Sequence, residues 1–273
     1  MDEYLYHYTD ANGLVGILTE GKLRASHFGY MNDGQELIYY ILNFLNPATT
    51  TFINEKALSE KLFEKFKEHY RINNPFFQPF SANLFITSFS EEGNDLSMWR
   101  SYTPQGGFSI GFAKEGIKSL VSKNEEFSQC KYIDRNSEKL SATEYVREVF
   151  QRPYVLKELS KENSNGFQNV MNYLKREYSF QAVNVKNIEF SHEKEWRLCY
   201  FIKSNDDKIK FRTKGQLIIP YIEIDLTKFI DKVQIAIGPG PYYKMQYSYM
   251  SYLGFKSKFQ LSVKGTNHNY RNL

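Results

Sequence analysis

The stretch from Glu195 to Ile202 constrains this chain more than any other. Trp196, Leu198, Tyr200 and Ile202 alternate with Arg197, Cys199 and Phe201. A period of two with many aromatic residues is the pattern of a strand. On a strand, alternate side chains share a face. The alternation therefore places Glu193, Glu195 and Arg197 on one side, and Lys194, Trp196 and Leu198 on the other. In a helix Glu193 and Arg197 would instead form an i,i+4 ion pair on a solvated surface. The run WRLCYFI leaves no polar stripe for such a surface, so the strand is the expectation.

The remaining segments alternate irregularly between the two periods. LYHYT (5–9) reads as a strand, and Asp10 or Asn12 can cap the apolar helix GLVGILTEG, which Gly21 closes. KLRASHFGYMND reads as a second strand entering a turn at Asn32, Asp33 and Gly34. Residues 35–46 and 55–70 carry helical spacing, and the second block breaks at Asn73, Asn74 and Pro75. SANLFITSFSEE is strand-like and SMWRSY is a short helix behind it. GGFSIGFA is a strand, residues 141–182 are a mostly helical block, and NIEFSHEKEWRLCYFI opens the next strand region. QLIIPYIEIDL and KVQIAIGPG are strands, GPGPYY is a sharp exit turn, and the tail from Thr266 is polar. Mixed strands and helices without regular βαβ winding predict an α+β fold. With 273 residues, 41% of them hydrophobic, the chain can bury a substantial core, and a single domain over 1–273 is expected.

Composition narrows the function classes. A net charge of +4 permits an anionic ligand or nucleic acid without requiring one. Cys130 and Cys199 are the only cysteines, too few for a disulfide framework or a cysteine metal site, which fits a reducing compartment. The start MDEYLYHYTD has no apolar h-region, and no stretch approaches the ~20 apolar residues of a membrane span. A cytoplasmic protein with no membrane partner is expected. GxxxxGK[ST] and HExxH are absent and neither cysteine has an obvious local histidine partner, which leaves phosphate loops, metal chemistry and a cysteine nucleophile with little support.

Several residues carry a chemical reading beside a structural one. His7 is either a hydrogen-bonded strand residue or a partner for a ligand hydroxyl. Tyr30 either packs or offers a flat platform for a planar ring. Thr87, Ser88 and Ser90 either face outward or bind ligand oxygens. Trp99 reads as core, and Arg100 is either a surface ion pair or a pyrophosphate contact. Glu193 and Glu195 are either a strand-edge salt-bridge ladder or ionised carboxylates beside a dry pocket. There Arg197 or Lys186 would lower a carboxyl pKa that burial raises, and the charge could stabilise an oxocarbenium-like centre.

Taken in order, LYHYT, GLVGIL, KLRASHFGYMND, SFS with MWRSY, GFSIGF, Lys186 before HEKEWR, and IAIGP resemble an uncharacterised bacterial family associated with phage-defence loci and assigned to the ADP-ribosyltransferase superfamily. The resemblance runs from about residue 4 to about residue 240. It implies a split β-sheet core that binds NAD in a cleft, with helical insertions near 35–80 and 135–182 where target or partner contacts are expected. It also implies that Glu195 is the catalytic glutamate and Glu193 its partner. His7 would contact the adenosine ribose, Tyr30 would stack on nicotinamide, and Ser88 and Ser90 would support the catalytic strand. Thr9 and Arg100 complete the set of cofactor-binding candidates. The implied activity is transfer of ADP-ribose from NAD, as substrate, to RNA, DNA or protein by a toxin-like effector held in check by an antitoxin or inhibitor protein. NAD hydrolysis on the same fold and a non-catalytic nucleic-acid or partner-binding module are the alternatives.

Overall fold

The computed structural model describes residues 3–31, 39–55, 64–65, 84–122, 125–161, 164–203 and 205–265. The turn expected at Asn32, Asp33 and Gly34, most of the helix expected over 55–70, its break at Asn73 to Pro75 and the tail from Thr266 lie outside those residues.

The fold is α+β, built on one large, mostly antiparallel sheet. Chain order begins with β1 (Tyr4–Thr9), α1 (Ala11–Glu20) and β2 (Lys22–His27), followed by a 3-10 turn, Phe28–Tyr30. The side chain of Asp10 accepts from Gly13 N at 2.7 Å and Gly21 closes α1 at φ 71°, so both caps sit where the sequence puts them. A π-helical turn, Ile41–Leu45, then leads into α2 (Asn46–Glu55). The sequence pattern had ended this helix near residue 46. Pro47 lacks an N–H and crowds the preceding turn, and the wider turn, with Asn46 N bonded to Ile41 O, lets the helix continue through it. The β-branched run Thr49–Thr51 disfavours a helix locally. Burial of Thr49, Phe52 and Ile53 overrides that preference.

The chain continues with β3 (Leu84–Ser90), α3 (Leu96–Tyr102), β4 (Phe108–Ala113), α4 (Lys114–Lys118), β5 (Glu125–Gln129) and β6 (Lys131–Ile133). The helical block resolves into α5 (Arg135–Gln151), α6 (Pro153–Leu159) and α7 (Ser164–Val183). After β7 (Val185–Asn187), residues Ile188–Glu193 form 3-10 turns, and β8 spans Glu195–Phe201. Last come β9 (Lys210–Lys214), β10 (Leu217–Asp225), β11 (Lys232–Ile237), α8 (Tyr243–Lys256) and β12 (Gln260–Lys264).

Strand pairing makes the sheet fork. β5, β8 and β3 form a trunk, with β8 paired to β3 along its whole length from Leu84↔Phe201 to Ser90↔Glu195. The other edge of β3 is shared. β1 joins it at Ser90, through Tyr6, and β2 joins it at Ile86 and Phe85, through Ser26 and His27. One arm continues β1–β4–β11–β12 and the other β2–β10–β9. Between the two attachment points, Thr87, Ser88 and Phe89 present a stretch of strand edge to the fork. β6 and β7 pair separately, in parallel.

Period-two alternation on the trunk feeds two hydrophobic clusters. Leu84, Ile86 and Cys199 pack with Val146, Val170 and Leu174 of α5 and α7. Phe85, Phe89 and Leu198 pack on the opposite face with Leu14 and Leu18 of α1 and Met250 of α8. Fully burying each such side chain is worth roughly 1.5–3 kcal/mol, so each face pins the register of the strands against a one-residue slip. No helix among the described residues is long and apolar enough to cross a membrane.

Candidate functional site

A cleft opens over the fork, on the face of the sheet that carries α5 to α7. Antiparallel pairing explains its floor. Ser90 lies opposite Glu195 and Ser88 opposite Arg197, so all four share one face. Tyr6 and Tyr8 of β1 and Arg24 and Ser26 of β2 wall the two arms. Tyr30, from the 3-10 turn after β2, Met98 and Tyr102 of α3, and Glu193 close the remaining sides.

Four charged residues are buried beneath the cleft. Glu193, Glu195, Lys186 and Arg197 are each at most 6% exposed. Arg197 grips Glu195 with two bonds, Nε to Oε1 at 2.7 Å and Nη2 to Oε2 at 2.9 Å. Lys186 Nζ donates to Glu195 Oε2 at 2.8 Å and to Glu193 Oε2 at 2.6 Å. Tyr102 OH also donates to Glu193 Oε2, at 3.3 Å. The two negative and two positive charges cancel, which is what permits their burial.

Glu193 reaches this group by a route the alternation did not foresee. Its expected place was on the same strand face as Glu195 and Arg197. Instead Ile188–Glu193 coil as 3-10 turns, started by Asn187, whose side chain accepts from Glu189 N at 3.0 Å. Lys194 then turns the chain into β8 with a left-handed backbone, φ 43°. The polar stretch NIEFSHE has no cross-strand apolar partner to hold it extended, so local side-chain bonding decides its shape. Lys186 on β7 brings the two glutamates together regardless.

The electrostatics of Glu195 are set by opposing causes. Burial pushes its carboxyl pKa up, and the nearby charges of Arg197 and Lys186 outweigh that, holding it at about 2 against an ordinary 4.5. An unfolded chain takes this proton first, so the stabilisation is present above pH 4.5 and is lost as the pH falls from there towards 2. We expect denaturant midpoints of wild type and Glu195→Gln to converge as the pH drops from about 5 to 3. A constant gap between them over that range would refute the assignment.

His7 stands at the fork itself. Its Nδ1 lies 2.9 Å from the Ser88 carbonyl, so Nδ1 carries the proton and Nε2 is left as an acceptor. Burial lowers its pKa, against the smaller effect of that hydrogen bond, and favours the neutral ring. The hydroxyls of Thr87 and Ser88 are buried without a hydrogen-bond partner among the described residues. These two hydroxyls beneath the cleft thus lack the partner that a buried polar group normally has. Ser90 does not share this freedom, because its Oγ donates to Glu193 O at 2.7 Å and accepts from Glu92 N at 3.0 Å. It ties the 3-10 turn to the trunk.

Of the residues nominated from sequence, His7, Tyr30, Ser88, Ser90, Glu193 and Glu195 line the cleft. Thr9 does not. It shares a strand face with His7 but lies farther along β1, against α1, with its Oγ1 so close to Gly13 that a Cβ there would meet it at 1.9 Å. Arg100 is exposed on α3, outside the cleft lining.

Sequence reasoning passed over Tyr6, Tyr8, Arg24 and Tyr102. A signal for Tyr6 was present in two glycines. Its ring lies where a Cβ on Gly93 or Gly111 would stand, at 2.4 and 2.6 Å, so both positions need glycine for close approach. Tyr6 OH donates to Gln234 at 3.0 Å, and Tyr8 OH donates to the Glu92 carbonyl at 2.8 Å. Cys199 is buried and its thiol pKa is pushed up by that burial, so it is no nucleophile.

Residues 98–198 match the model of a family described as a protein of unknown function (DUF2971). That span holds Tyr102, Lys186, Glu193, Glu195 and Arg197, but not the β1 and β2 walls of the cleft. No curated protein and no solved structure matches the chain.

Proposed function

We propose that this cleft binds NAD and that the protein transfers ADP-ribose from it to a macromolecular acceptor, nucleic acid or protein. One observation carries the reading: residues nominated from four separate stretches, LYHYT, FGYMND, TSFS and EKEWR, line a single cleft at the fork of the sheet. The fork also suits the split-sheet architecture that the ADP-ribosyltransferase resemblance implies.

The chemistry follows from charge. When the bond between ribose C1′ and the nicotinamide nitrogen breaks, its electron pair leaves with nicotinamide, which becomes neutral, and the sugar becomes electron-poor. Ionised carboxylates fixed in a water-poor site stabilise such a centre without reorganising. Tyr30 offers an aromatic face to the departing ring. The neutral His7 Nε2 accepts from a ribose hydroxyl, and Thr87 and Ser88 hydroxyls have capacity for further sugar oxygens. The acceptor nucleophile then bonds C1′ and gives up its proton, and Glu193 lies on the cleft wall where it can take that proton. A toxin-like role in phage defence, and control by an antitoxin or inhibitor protein, rest on the resemblance alone.

The test is incubation of the purified protein with labelled NAD, with and without cell lysate. Nicotinamide release and label in the macromolecular fraction are then followed. We expect lysate-dependent label that nuclease or protease removes, the sensitive treatment naming the acceptor. Rapid release of free ADP-ribose without lysate would make the protein a hydrolase. No nicotinamide release in either arm would end the NAD reading.

A further inference from the structure

On the opposite face of the β1–β4–β11–β12 arm from the cleft, α8 packs inward through Met250, with Tyr243 and Leu253 partly buried beside it. Its outer side is unusual. Tyr242, Met245, Tyr249, Tyr252 and Lys256 recur at alternating steps of three and four residues, which places them in one stripe along the helix. Tyr249 and Tyr252 are 61% and 68% exposed, and Phe255 beside them is 85% exposed. Large exposed aromatic patches on a folded surface mark binding sites.

Charge decides what covers it. The helix carries no acidic residue, and Lys244, Lys256 and Lys258 on it or at its end are exposed. From Lys228 to Lys264 the chain has six lysines and one acid, Asp231, a local net charge of +5. The whole chain is only +4, so the rest of the protein is slightly acidic and its positive excess lies in the segment that contains this helix. A purely apolar partner would leave these lysines unmatched. A lysine-flanked row of tyrosine rings matches a polyanion that also has flat faces. We infer that the outer face of α8 is a stacking platform for single-stranded nucleic acid, with bases on the tyrosine and phenylalanine rings and phosphates on the lysines. The site is independent of the NAD reading, since it shares no residue with the cleft and needs no chemistry there.

The test is fluorescence anisotropy of labelled oligothymidylate and oligouridylate with the full chain, in the absence of NAD. We expect saturable binding that weakens steeply as salt is raised from about 50 to 200 mM. Tyr249→Ala with Tyr252→Ala should weaken it by roughly tenfold per ring, and Lys256→Ala should flatten the salt dependence. These side chains are exposed, so the variants should keep the wild-type melting temperature. The tighter of the two strands names the natural one. Absence of binding at low salt would overturn the proposal, as would undiminished binding by the double tyrosine variant. So would self-association without nucleic acid that replacing those same tyrosines abolishes, because the stripe would then be an interface between two copies of this chain.

Discussion

Replacing Arg197 with methionine should destabilise the protein by about 3–5 kcal/mol, the cost of removing one partner from a buried ion pair. Arg197 is 3% exposed and donates twice to Glu195, and its Nη1 donates to the Val183 carbonyl at the end of α7. Without it, Lys186 would be left to neutralise two buried carboxylates. Methionine fills similar space but supplies neither charge nor donors. Against a typical stability of 5–15 kcal/mol, the loss should appear as a large fall in the urea midpoint and in Tm. Adding Glu195→Gln to Arg197→Met should restore part of it, because the unpaired charge is then gone, and a double-mutant cycle reads that coupling directly. A loss below about 1 kcal/mol for the single variant would mean that the four charges are solvated in practice, as exposed pairs are.

The quartet also shows which parts of this protein could be read from its sequence. β8 was legible because alternation of Trp196, Leu198 and Tyr200 against Arg197 and Cys199 is a local property. The caps of α1 were legible for the same reason, since Asp10 and Gly21 act on their immediate neighbours. Glu193 was placed near Glu195 correctly but on the wrong element. Its position comes from a 3-10 turn and from Lys186, seven residues earlier, so the geometry is tertiary and period two does not encode it. The fork was invisible in the residues themselves, because it depends on β1 and β2 sharing one edge of β3 from about 60 to 80 residues away. Tyr6, Tyr8 and Arg24 were missed with it, since only the fork turns those side chains into walls of a cleft. α8 was hidden for a different reason. Its aromatic residues are mostly exposed, with Tyr243 partly buried and Met250 the buried residue, and such a helix lacks the contrast between apolar and polar faces that periodicity relies on.

If the cleft cleaves NAD, Glu193→Gln should lower turnover by about 10²–10³-fold, the usual loss for one preorganised electrostatic contact, with a smaller fall in Tm than Glu195→Gln causes. The two glutamates differ in what already holds them. Three donor contacts occupy Glu195, one from Lys186 and two from Arg197, which leaves little of an ionised carboxylate's capacity of about four acceptor sites. Glu193 accepts only through Oε2, from Lys186 and Tyr102, and its Oε1 has no partner among the described residues. Glu193 Oε1 is thus the better placed oxygen to meet a sugar hydroxyl or an acceptor proton, and Glu195 is positioned to keep Lys186 and Arg197 in place. Glutamine at 193 keeps an acceptor for Lys186 but removes the charge. Glutamine at 195 should lower turnover too, but with a clear fall in Tm, since it strips the charge that both cations share. Nicotinamide release and thermal melts on the two variants separate these roles. Turnover within twofold of wild type for Glu193→Gln, beside an inactive but fully stable Glu195→Gln, would return the chemistry to Glu195 alone. Wild-type turnover in both variants would place the reaction away from this cleft.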